Sequence, residues 1–125
     1  MFKFRKLSLS LWILIIFLTF ATYFDVSVIG SEVTIKGTVI DPFCLLTMGM
    51  KGEGHRECAQ RCAKAGMNLA IMDEQGKIYP ILQREAFTNP NNPVFDYVEK
   101  KVTVKGDLIE SGGVSYIMIK EVKDN

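Results

Sequence analysis

The stretch VTVKGDLIESGGVSYIMIKEV, residues 102–122, decides the architecture. Val102, Val104, Leu108 and Ile109 lead to Ser111-Gly112-Gly113, and Val114–Val122 follows with Ile117 and Ile119 in register. Two β-type runs around a glycine turn predict a long two-stranded hairpin.

Upstream, residues 32–41 (EVTIKGTVID) alternate. Val33, Ile35 and Val39 fall on one face, and Thr34, Lys36, Thr38 and Ile40 on the other. Gly37 interrupts the inner row and predicts a bulge or a sharp bend. Asp41-Pro42 ends the run. Met67–Asp73 and Lys77–Leu82 are apolar β-like runs flanking Glu74-Gln75-Gly76, a second hairpin signal. Residues 47–54 (TMGMKGEG) hold three glycines and no periodicity, and read as a loop. His55 to Ala65 reads as a short helix, favoured by Ala59, Ala63 and Ala65 and stopped by Gly66. Residues 89–93 (NPNNP) can only be a loop, and Phe95, Tyr97 and Val98 suggest one or two helical turns after it.

The order is therefore strand, helix, strand, strand, short helix, strand, strand. This predicts a mainly β fold: a five-stranded OB-fold-like barrel with a short helical insert after strand 1 and a short helix before strand 4. An N-terminal hydrophobic helix precedes it. A chain of 125 residues suffices for one such domain.

The first thirty residues differ from the rest. Lys3, Arg5 and Lys6 form a basic start, and Leu7 to Phe24 are nearly all apolar. That layout is a secretory signal peptide, with Val28-Ile29-Gly30 before Ser31 as tolerable cleavage positions, or an uncleaved N-terminal membrane anchor. Either way, residues 31–125 are expected outside the cytoplasm, in a periplasmic or extracytoplasmic space. Without residues 1–30 the domain keeps 12 basic and 13 acidic side chains, a net charge near −1. Nucleic-acid binding needs a concentrated positive field, and none is visible here. Tyr79, Phe87, Phe95, Tyr97 and Tyr116 are better explained by packing than as a base-stacking platform.

The phrases I-x-G-x-V (35–39), V-x-V-x-G (102–106) and I-x-I (117–119) resemble the small exported bacterial OB-fold domains. One segment departs from that plan: C-(x10)-H-x2-C-x3-C, from Cys44 through His55 and Cys58 to Cys62, followed by A-K-A-G. It resembles a family of small exported proteins without an established activity. The resemblance implies fold and export, while a fold of this kind hosts unrelated functions.

The chemistry must come from that segment. On a helix, His55, Cys58 and Cys62 fall at about 0°, 300° and 340°, inside an arc of roughly 60°. Cys44 comes from just after the first strand. Three thiolates and one imidazole make a full tetrahedral set for zinc, and thiolates equally suit Cu(I). Met48 and Met50 offer two further soft donors in the intervening loop. Cys44, His55, Cys58 and Cys62 are accordingly the candidate metal ligands.

A second reading is structural. Exported thiols tend to pair, and three cysteines leave one over. Cys44 with Cys58 or with Cys62 is a plausible bridge, whereas Cys58 with Cys62, four apart on one helix, is not. A redox-active thiol pair is the third reading. Catalysis is not expected: His55 and Cys58 lie too close in sequence for good proton transfer, and no G-K-[ST] completes a phosphate loop. The sequence thus predicts an exported metal-binding protein taking copper or zinc, in metal handling or assembly of an extracytoplasmic redox complex. Its alternative is a disulfide-braced accessory subunit of a membrane or extracytoplasmic complex.

Overall fold

The computed structural model describes residues 30–125. Five strands close into a barrel: β1 (Ser31–Ile40), β2 (Ala70–Asp73), β3 (Ile78–Leu82), β4 (Lys101–Ser111) and β5 (Val114–Asp124). Around the barrel the order is β1-β2-β3-β5-β4. All neighbours are antiparallel except β3 and β5, which run parallel. This is the OB-fold plan expected from the order of elements. The hairpin of residues 102–122 is present as β4 and β5, with Ser111 opposite Val114.

Closure depends on β1 serving two neighbours. Ser31–Thr38 pair with β4, and Gly37–Ile40 pair with β2. Gly37 lies where both ladders overlap, and a Cβ there would run into the Met72 carbonyl oxygen. The bare backbone lets β2 approach a strand already bonded on its other edge. No register break accompanies it. The irregularity lies instead in the hairpin, where Lys105 faces Glu121 but Gly106 faces Ile119, leaving Lys120 as the extra residue.

Inward-facing residues of every strand fill the barrel: Ile35 and Val39, Ile71, Ile81, Val102 and Val104, Ile117 and Ile119. Val94 and Val98, on the approach to β4, join the same core. Burying each such side chain contributes about 1.5–3 kcal/mol, set against the entropy of ordering the chain.

Two helices, rather than one, separate β1 from β2. Residues 42–46 and the first two residues of the expected 47–54 loop form α1 (Pro42–Met48). Its Asp41 N-cap accepts from the Cys44 N–H through Oδ1 at 3.2 Å, and Pro42 opens the first turn. Gly49 ends it at φ 66, with its N–H returning to the Leu45 carbonyl. Cap, proline and glycine were all legible, but seven residues are too few for a 3.6-residue period to register. A 3-10 turn (Glu53–His55) then enters α2 (Arg56–Lys64), so His55 precedes the helix rather than starting it. A second 3-10 turn, Phe95–Tyr97, is the short helix before β4.

Among the described residues no helix is long and apolar enough to cross a membrane. The Leu7–Phe24 run, on which the signal or anchor reading rests, lies outside them.

Candidate metal centre

Helix α2 lies on the barrel by its alanines. Ala59 and Ala63 are buried in the common core, while Cys58 and Cys62 are half-buried on a neighbouring side of the helix. Helix α1 complements this. It turns Cys44 inward, at 2% exposure, and leaves Phe43 and Leu46 exposed. The intervening 3-10 turn buries His55 at 3% exposure.

These elements bring donor atoms together in two groups. Cys44, His55 and Cys58 have their ligand atoms within 4.8 Å of one another. Asp41, Cys44 and Cys62 meet the same limit. Cys44 belongs to both. A tetrahedral zinc with bonds of about 2.0–2.3 Å sets its ligand atoms roughly 3.3–3.8 Å apart, so rotamer adjustments of about an ångström would close either group. Such groups can hold a metal ion. Of the four residues singled out from sequence, three form the first group, and Cys62 sits in the second. Met48 and Met50 are exposed.

Asp41 was missed in the sequence because D-P read only as a strand end. Its capping role is what aims it: Oδ1 bonds the Cys44 N–H, and Oδ2, in a residue 1% exposed, has no hydrogen-bond partner in the protein. The His55 ring has the same character. Its Nδ1 lies 3.0 Å from Glu99 Oε1, and both side chains are almost fully buried. Its Nε2 is buried without a partner. With Nδ1–H donating to Glu99, Nε2 carries the lone pair that a metal needs. Buried polar atoms are normally paired, so two orphans beside the same thiol point to a ligand.

Glu99 was also missed, since it lies 44 residues from His55. Its backbone holds φ 59, a region unfavourable for a side-chain-bearing residue. Three contacts fix it there. Its N–H donates to the Val39 carbonyl at 2.8 Å, its Oε2 accepts from the Gly52 N–H at 2.8 Å, and its Oε1 takes His55. Glu99 thereby ties the loop before α2 to the barrel and sets the orientation of the imidazole.

All three cysteines carry free thiols. Burial, then the Asp41 carboxylate alongside, pushes the Cys44 thiol up to about 12. The Asp41 carboxylate first, and then burial, raise the Cys62 thiol. Both effects disfavour a thiolate that has no cation beside it. A metal ion reverses this by supplying the missing positive charge, displacing the thiol protons as it binds. No family model matches the chain, and neither a curated protein nor a solved structure matches it.

Proposed function

We propose that this protein is an exported metal-binding protein whose primary donors are the sulfurs of Cys44 and Cys58 and Nε2 of His55. The observation that carries this reading is the orphaned, buried His55 Nε2, backed by Glu99 and grouped with two sulfurs. Structural packing explains buried cysteines by themselves, but it does not explain an imidazole whose free nitrogen is withheld from water and from protein. Two sulfurs and one imidazole suit Zn(II) and Cu(I) alike. Export rests on the sequence of residues 1–30, and the proposed role is metal handling or delivery to an extracytoplasmic complex. The function is binding rather than catalysis.

The test is metal titration of His55→Ala beside the parent under reducing conditions, with Zn(II) and Cu(I) in separate arms. Loss of at least tenfold in affinity, with the far-ultraviolet dichroism of the metal-free protein unchanged, is the expected result. Equal affinities remove His55 from the site. Binding by neither protein removes the metal reading and leaves the disulfide-braced accessory subunit.

A further inference from the structure

The geometry points to a second cation position beside the first: Asp41, Cys44 and Cys62 hold a second divalent ion, with the Cys44 sulfur bridging the two. This inference rests on the metal-binding reading above and extends it from one ion to two.

Each position has its own evidence. The two groups share Cys44 alone, and each holds one buried polar atom without a partner: His55 Nε2 in the first and Asp41 Oδ2 in the second. A single ion bound by the Cys44–His55–Cys58 group satisfies the histidine and leaves the aspartate carboxylate facing only thiols. Cys58 stands outside the second group and Cys62 outside the first. Cys58 and Cys62 lie four residues apart on α2, about 6 Å along its axis, and each groups separately with Cys44. Charge agrees with two ions. Asp41 and three thiolates supply four negative charges, which two divalent cations neutralise. Thiolate sulfur has lone pairs for two metals, and Cys44, the most buried thiol, is the one both groups share. On binding, each of the three thiols releases its proton to solvent.

The experiment counts ions. Full-length protein, held in detergent and under reducing conditions, is titrated with Zn(II) against a competing chelator, and bound zinc is measured by elemental analysis. The parent is expected to bind two equivalents. Asp41→Asn, which keeps the helix cap, and Cys62→Ser should each bind one, at an affinity within about threefold of the tighter parent site. Co(II) binding, followed by its thiolate charge-transfer absorption, should show two successive steps in the parent and one in each variant. One equivalent in the parent, weakened as much by Cys62→Ser as by Cys58→Ser, would mean a single four-ligand centre and overturn the second position. One equivalent indifferent to Cys62→Ser would overturn it too, leaving the three-donor site intact. Two equivalents retained in both variants would remove Asp41 and Cys62 as ligands. No binding by the parent would sink the metal-binding reading itself, an outcome distinct from the others.

Discussion

Glu99 carries more of this site's geometry than its distance in sequence suggests. A glycine would adopt φ 59 without strain, and a glutamate there is held by what its carboxylate does. It fixes one ring nitrogen of His55 and the loop N–H of Gly52 together. Glu99→Gln keeps the size but leaves one acceptor oxygen for the two groups that Glu99 holds, the His55 ring and the Gly52 N–H. Affinity for Zn(II) should fall about 10–100-fold, as is usual when such a supporting carboxylate is lost. Competition titration against a chelator measures this, and an unchanged affinity would reduce Glu99 to a structural tie. At this scale the sequence indicated donors but not their supports. Histidine and cysteine advertise themselves by chemistry, whereas Asp41 and Glu99 look like any cap and any surface acid.

The helical insert is anchored to the barrel by Asn91. Its Oδ1 accepts from the Leu69 N–H at 2.8 Å, and its Nδ2 donates to the Met67 carbonyl at 2.8 Å. The carbonyl of Ala63, near the end of α2, lies 3.4 Å from the same Nδ2. One buried amide therefore joins the end of α2 to the start of β2 through the NPNNP loop. Asn91→Ala leaves the Leu69 N–H buried and unpaired, which should destabilise the protein by about 1–3 kcal/mol. Denaturant unfolding of the metal-free protein checks it, and a loss below half a kcal/mol would show that the clamp is dispensable. The sequence placed this loop correctly from its prolines, but periodicity cannot reveal an amide used as a brace.

On the outside of the barrel, an ion-pair network joins β1, β4 and β5 across the closure. Lys120, the bulge residue of β5, contacts Asp107 at 2.6 Å and Glu32 at 2.9 Å, and Arg84 reaches Asp107 at 2.9 Å. The Lys120 ammonium, then the Arg84 guanidinium, hold the Asp107 carboxyl below its usual range. A carboxyl with a lower pKa in the folded than in the unfolded state stabilises at pH values above the ordinary carboxylate range. That contribution is lost as pH falls through the folded value. Thermal melts of parent and Asp107→Asn in chelator should therefore differ near neutral pH and draw together as the pH falls below the ordinary carboxylate range. A difference that persists unchanged into acid would show that Asp107 acts by packing or hydrogen bonding alone. Partial exposure and salt screening keep the effect modest.

Alternation in residues 32–41, the apolar runs of 67–82 and the glycine-centred hairpin of 102–122 determined the strands by themselves, although Ile40, set on the outer face by alternation, is buried. The same reading fixed the strand count, the hairpin and the candidate cysteines and histidine. Closure did not follow from it. Gly37 marks a special position in any strand, but only the approach of β2 to β1 made it a site of close contact rather than a bulge, which fell at Lys120 instead. The division of the donors was likewise decided in three dimensions. A helical wheel puts His55, Cys58 and Cys62 on one arc, yet it projects away the rise along the axis. In three dimensions Cys58 groups with His55 and Cys62 with Asp41, and Cys44, arriving from another helix, belongs to both.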